Sequence, residues 1–363
     1  MAQGQALITG GTGFIGRHVV RRLARMGMPV RVLARRPESA TRLFPQHAGS
    51  VEVIAGDLRD ARDVARAAAG VESIYHIGGL YGFGPGPARD AETVNLDGTR
   101  HVMEAALLHH TPRVVHVSTA GVLRPCRQRA GSDRQPPEMT EEDFPDQPGW
   151  GERYKRSKWM AERLALDYAA QGLPVIIASP TCPIGAEDEG PTPTGRIIKD
   201  FLGGRFPMVS RTGLNFLAVE DLAAGLIRAA ERGVPGRRYI LGGKNLWLRE
   251  FLELTARITG RQAPGFSAPW LLVLAAGLAG EAAGSLGLDA GGWSDRVCLE
   301  TALTARRCQF FDTTRTQREL GWKPEIPLER AVREAVAWFE TGAAGPHAAA
   351  ERDVAYLPGQ ATR

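Results

Sequence analysis

Along the first 180 residues, apolar positions fall in short β-branched blocks separated by longer stretches with helical spacing. Segments 6–9, 30–34, 51–55, 73–77, 114–118 and 175–179 predict strands, and the intervening segments, clearest at 15–26 and 154–169, predict helices. Apolar strands alternating with helices build a parallel sheet covered on both faces, so the pattern predicts an α/β fold. Segments 215–219 and 238–241 predict two further strands that return to the first unit.

The periodicity fails between Leu123 and Trp150, where RPCRQRAGSDRQPPEMTEEDFPDQPG is polar and rich in proline. A connection that long inside a domain predicts a lid, a binding loop or a disordered segment. Alternation weakens again after Pro180, and GAEDEGPTPTG at 185–195 marks a crossing into a second unit. A chain of 363 residues accommodates one large domain and a smaller partner. The expected division is 1–182 with 213–243 as the first domain and 183–212 with 244–340 as a smaller C-terminal substrate domain. Residues 341–363, rich in Ala, Gly and Pro, are expected to form a flexible tail.

A hydrophobic fraction of 43% and a charged fraction of 23% exclude fibrous and disordered classes. The net charge of +5 comes from dispersed arginines, which suits an anionic small ligand better than nucleic acid, so no nucleic-acid partner is expected. Cys126, Cys182, Cys298 and Cys308 lack metal-ligand spacing and read as reduced thiols. The first residues lead straight into a strand with no signal-peptide pattern, so a cytoplasmic protein is expected.

TGGTGFIGRHVV follows the first strand and places Gly10, Gly13 and Gly16 where a helix opens. A tight turn needs glycine's backbone freedom, and the helix N-terminus after it offers free N–H groups to a pyrophosphate. The loop, with Phe14 and Ile15 in the first helical turn, is the expected dinucleotide site, in the GxxGxxG form. After the second strand, Arg35 stands where an acidic residue would hold the ribose 2′-hydroxyl of NAD, so NADP(H) is favoured, with NAD(H) as the alternative. Asp57 in AGDL is placed to accept from the adenine amino group with Leu58 against the ring, and a plain helix N-cap is the other reading.

YKRSK puts Tyr154 and Lys158 four residues apart, on one helical face. A tyrosine with a reference pKa of about 10 needs a nearby positive charge to exchange a proton near neutrality, and Lys158 carries one. The fifth strand runs into Ser118 and Thr119, two hydroxyls that compete to hydrogen-bond a substrate oxygen.

Glycine loop, strand-end hydroxyl and YxxxK, in that order, resemble the extended short-chain dehydrogenase/reductase superfamily over nearly all of residues 5–340. The resemblance implies a Rossmann doubly wound parallel sheet and NAD(P)-dependent oxidoreductase or epimerase activity on a secondary alcohol or ketone. By motif, Thr119 falls on the catalytic Ser/Thr, Tyr154 on the acid/base and Lys158 on the ribose-binding lysine. Asn95 in VNLDGT falls on the Asn that supports the active site, and Ser179-Pro180-Thr181 on the stretch touching the nicotinamide side. PTPTGRIIKDFLGG, TGLNFLAVEDLA, RYILGGKNLWLREFLELTARITGR and FFDTTRTQRELGWKP are similar to hopanoid-associated sugar epimerases, then to dihydroflavonol 4-reductases and, more distantly, to 3β-hydroxysteroid dehydrogenases. That similarity implies a sugar or polycyclic lipid substrate, and the resemblance to the extended superfamily implies a homodimer. Two departures are the threonine at 119, where serine is common, and the enlarged loop before Tyr154.

His76 and His116 lie in apolar strands and are expected as satisfied core histidines. His109 and His110 are expected to end a surface helix. No metal site is expected, because no histidine has a partner at metal spacing. The run PWLLVLAAGLAG at 269–280 is shorter than the roughly 20 apolar residues that span a bilayer. It reads as an amphipathic helix on the second core, as the lining of an apolar site, or as a peripheral membrane contact. The function from another class that competes with catalysis is a dinucleotide sensor or scaffold.

Overall fold

Strand β1 (Ala6–Thr9) is buried along its whole length in the computed structural model, which describes residues 4–80, 93–124, 136–147, 153–205, 208–267, 270–285 and 308–342. Its Ala6 and Ile8 belong to one hydrophobic cluster and Leu7 to another, so the strand has a core on each face. The same alternation holds in β6 (Val175–Pro180), where Ile176 and Ala178 face one cluster and Val175 and Ile177 the other. Strands buried on both faces read as continuous apolar runs, which is the pattern of a parallel sheet flanked by helices.

The sheet holds seven strands in the order β10-β6-β5-β4-β1-β2-β3, all parallel. The others are β2 (Val30–Ala34), β3 (Val51–Ala55), β4 (Ser73–His76), β5 (Val114–Val117) and β10 (Arg238–Leu241). Helices Phe14–Arg25 and Val219–Arg232 contribute to the cluster on one face, and Ala61–Ala68, Gly98–Leu108 and Arg153–Ala170 lie on the other. Strand order reverses between β1 and β4, which opens a crevice above their carboxyl ends; ligands of such sheets bind there. This is the Rossmann-like α/β arrangement expected from the alternation, and the strands in it fall within a residue or so of their expected bounds.

One strand is placed differently. Segment 215–219 was expected to return to the first unit, but strand β9 (Gly213–Ala218) pairs instead with β7 (Cys182–Ile184) and β11 (Lys244–Trp247) in a separate three-stranded sheet. The place beside β6 is taken by β10, with Arg238 opposite Ile177. The chain returns to the large sheet one element later, through helix Val219–Arg232. An apolar alternation specifies a strand and not its partner.

A third cluster fills the second unit, with Phe216 stacked on Phe251 at 4.1 Å and Ile198, Phe201, Leu252 and Val332 around them. A two-stranded pair, β8 (Met208–Val209) and β12 (Phe266–Ser267), leads to the apolar helix Trp270–Ser285. That helix turns Gly277 and Gly280 inward while Leu271 and Leu272 stand 71% and 57% exposed, so it does not pack as an amphipathic core helix. No helix among the described residues is long and apolar enough to cross a membrane. Helix Leu328–Thr341 ends on Gly342 in the left-handed conformation, and most of the expected tail lies outside the described residues.

Candidate active site

Gly10 and Gly16 shape the turn after β1 by steric necessity, and Gly13 lies close in the same turn. Gly10 has φ +72°, and a Cβ there would stand 2.6 Å from the Gly78 nitrogen, where the chain leaving β4 crosses. A Cβ on Gly16 would stand 2.1 Å from the Gly10 carbonyl oxygen, and one on Gly13 would stand 3.3 Å from it. Helix Phe14–Arg25 starts on Gly13, which offers no side-chain cap, so its first N–H groups remain for an anion. The Ile15 side chain packs into the core, leaving its backbone N–H as its contribution to the loop. A backbone this bare, at the helix end beside the strand-order reversal, fits a dinucleotide pyrophosphate.

At the ends of β2 and β3, Arg35 is exposed and near enough to act on Asp57. Arg59 grips the Asp57 carboxylate through Nε at 3.1 Å and Nη2 at 2.6 Å, and its hydrogen bonds, more than the Arg35 charge, hold that carboxyl below its ordinary range. Asp57 is thus bound up with a second arginine that sequence reasoning passed over; the signal was its place two residues after the aspartate. The helix N-cap in this turn is Asp60, not Asp57. Leu58 lies against Gly78 and Gly98, and its carbonyl contacts His101 Nδ1 at 2.7 Å.

Across the crevice, Tyr154 and Lys158 stand one turn apart on helix Arg153–Ala170. Tyr154 is half-buried, and burial pushes its phenol above the ordinary value. Lys158 is buried and donates from Nζ to the Val117 carbonyl at 2.6 Å. Burial lowers its ammonium to about 8, with the Glu162 charge opposing the drop. The lysine was expected to pull the tyrosine down; burial of the phenol raises it instead.

The two competing hydroxyls are separated by their partners. Ser118 is buried and donates to the Glu162 carboxylate. Thr119 caps the turn Ala120–Val122, accepting from the Gly121 N–H at 3.1 Å, which keeps its own O–H for a further acceptor. Asn95 braces this region: its amide oxygen accepts from the Leu80 N–H, and its amide nitrogen donates to the Leu80 carbonyl and to Ser157 Oγ. Pro180 ends β6, beside a buried Ser179 hydroxyl without a hydrogen-bond partner among the described residues.

Of the two strand histidines, His76 is satisfied, with Thr9 Oγ1 at 2.8 Å and Thr99 Oγ1 at 3.0 Å. His116 departs from expectation: it is buried with both ring nitrogens unpartnered among the described residues, its ring 5.3 Å from that of His76. Burial holds both well below the ordinary histidine value, and the Lys158 charge adds to the effect. Helix Gly98–Leu108 ends at His109, as expected. Cys182 and Cys308 are not disulfide-bonded, while Cys126 and Cys298 lie outside the described residues. Among the described residues no three His, Cys, Asp or Glu stand together as metal ligands would.

Only part of the loop before Tyr154 is described, and that part is pinned. Met139 exchanges backbone hydrogen bonds with Phe310 and Asp312, and buried Glu141 accepts from Thr316 Oγ1 at 2.8 Å and from the Ile240 N–H at 3.3 Å. The described part of the loop is therefore fixed to β10 and to residues 308–316, contacts that no local signal announces.

A parallel sheet with a bare glycine turn at its strand-order reversal and a Tyr/Lys pair across the crevice defines a dinucleotide-dependent enzyme of the extended short-chain dehydrogenase/reductase type. The chain belongs to the NAD dependent epimerase/dehydratase family, whose pattern matches residues 6–242. It is 32% identical over 343 residues to a Synechocystis sp. protein named for dihydroflavonol 4-reductase, covering 92% of this chain and 94% of that one. Sterol demethylase protein B of Methylococcus capsulatus is 30% identical over 347 residues, covering 92% and 97%. The crystal structure of gox2253 superposes with a TM-score of 0.77 at 32% identity, covering 93% of this chain and 98% of that one. The protein is accordingly an NAD(P)-dependent oxidoreductase or epimerase.

Proposed function

We propose that the protein moves a hydride between NADP(H) and a secondary alcohol or ketone on a sugar or polycyclic lipid, in the cytoplasm, with Thr119, Tyr154 and Lys158 as its relay. The observation that carries this is the sorting of hydroxyls: Ser118 is spent on Glu162, while Thr119 keeps an O–H at the end of β5. Gly10, Gly13, Phe14, Ile15 and Gly16 hold the pyrophosphate through backbone N–H groups. Arg35 faces a 2′-phosphate, Asp57 and Leu58 the adenine, and Pro180 the nicotinamide side. The bound dinucleotide supplies the hydride acceptor or donor. Thr119 donates to the substrate oxygen, Tyr154 gives or takes the proton at Oη, and Lys158 holds the ribose hydroxyls and lowers the charge cost at the phenol. The elements 1–180 and 219–241 serve the dinucleotide, and 182–218 with 244–340 the substrate.

The substrate reading is supported by relatives named for dihydroflavonol and sterol chemistry. Tyr154→Phe keeps the ring and removes the proton, so turnover should fall at least 100-fold, the usual scale of general acid catalysis being about 10²–10⁴, while dinucleotide affinity survives. NADPH should bind more tightly than NADH in fluorescence titration at fixed salt, and Arg35→Ala should narrow the gap. Near-normal turnover in the first case, or equal affinities in the unmodified protein, would overturn the reading.

A peripheral membrane contact is the second reading. Leu271, Leu272 and Leu278 are exposed on helix Trp270–Ser285, and Phe266, just before it, is 78% exposed. Co-sedimentation with liposomes should be strong for the unmodified protein and weak for folded Leu271→Glu; no association of the unmodified protein rejects it.

A further inference from the structure

We propose that Glu162 is a positioning residue of this relay: its buried carboxylate sets the charge and aim of Lys158 and withdraws Ser118 from the substrate. Glu162 lies one helical turn beyond Lys158 and two beyond Tyr154, so all three share a face of helix Arg153–Ala170. It is wholly buried, and its two oxygens are taken separately, one by the Ser118 O–H and one by Arg238 Nε. Arg238 is itself fixed, donating from Nη1 to the Glu141 carbonyl at 2.9 Å with its guanidinium 4.0 Å from the Phe144 ring centre. Both carboxylate oxygens are thereby held.

A carboxylate whose work is to neutralise Arg238 has no need of the strand end. This one joins a closed circuit of helix and strand: Glu162 holds Ser118, the next residue back is Val117, and its carbonyl holds Lys158 Nζ. The circuit ties the lysine and the segment carrying Thr119 to one anchor.

Charge follows the same geometry. Glu162, from the same helix, is the charge that acts on Lys158; the lysine in turn acts on His76 from β4 and His116 from β5, and Arg238 from β10 is tied in through Glu162. Both histidines are held neutral by burial, so Glu162 is the anion that opposes desolvation of the Lys158 ammonium. A buried lysine without such an anion loses its proton at lower pH. The inference rests on the relay proposed above, because the charge of Lys158 matters only where it serves ribose and tyrosine.

The test is a pH titration of the full protein with 13Cε-labelled lysine, followed by NMR. The chain holds only five lysines, and the Lys158 signal is assigned by its loss in Lys158→Arg. In the unmodified protein its midpoint should lie at about 8. Glu162→Gln should lower it by about one pH unit or more, the usual effect of removing a close opposite charge. Ser118→Ala should move it the same way by less, since the lost hydrogen bond makes the carboxylate easier to protonate. The alkaline loss of NADPH affinity should shift with the midpoint in each variant. An unchanged Lys158 midpoint in Glu162→Gln, or in Ser118→Ala should the first not fold, overturns the proposal. A Tyr154→Phe protein with normal turnover would instead overturn the relay, while the lysine midpoints would still report the coupling to Glu162.

Discussion

The two sides of the crevice are built on different principles. On the side proposed for the dinucleotide, the surface is backbone within a single turn, bare of side chains at Gly10, Gly13 and Gly16. The side proposed for the substrate is built instead from segments far apart in the chain: 138–144, 238–245 and 308–316 meet around Glu141, Asn245 and Phe311. The first side should tolerate no substitution at its turn and little change elsewhere. The second should give way by degrees, each contact contributing to stability without any one defining the fold.

The largest expected effect is therefore at Gly16. Gly16→Ala puts a methyl 2.1 Å from the Gly10 carbonyl, so the turn must open or the chain unfold. Dinucleotide affinity should drop at least 100-fold by fluorescence titration, corresponding to about 3 kcal/mol. An unchanged affinity would mean that the backbone turn does not bind the dinucleotide.

Next is Glu141→Ala, which strands the Ile240 N–H and the Thr316 hydroxyl inside the protein. Leaving buried partners unsatisfied costs about 1–3 kcal/mol each, so the urea midpoint should fall clearly. Dinucleotide affinity should hold. A matching loss of affinity would erase the contrast between the two sides.

The smallest effect concerns acid stability. The folded-state values of His76 and His116 lie below the unfolded value, so between that value and the depressed ones the unfolded chain binds more protons. Stability should fall as pH drops below about 6.5, with a slope approaching 1.4 kcal/mol per pH unit for each histidine. His116→Leu removes one contributor and no hydrogen bond to the described residues, among which neither ring nitrogen has a partner. Its stability should change little at pH 8 and decline less steeply in acid. A slope identical to that of the unmodified protein would show that His116 titrates normally.

Much of the site was legible because its demands are local. A turn that needs positive φ and close backbone approach calls for glycine within a few residues, and a shared helical face calls for four-residue spacing, so Gly10, Gly13, Gly16, Tyr154 and Lys158 can be read in order along the chain. Asn95 and Thr119 came through resemblance, and geometry then separated Thr119 from Ser118 by giving the serine a carboxylate. Glu162 was missed although it continues the face of Tyr154 and Lys158, because its meaning lies in Arg238, 76 positions away.

By itself the sequence determined the alternation of strands and helices, the bare turn after β1 and the family to which the chain belongs. These follow from periodicity, steric freedom and spacing, which act over a few residues. Tertiary structure alone decided that β9 leaves the large sheet, that residues 138–144 are fixed to β10 and to residues 308–316, and that a fully buried acid stands behind Lys158. A strand's partner and a buried charge's counter-charge are set by which distant surfaces meet when water is excluded, and no local pattern encodes that meeting.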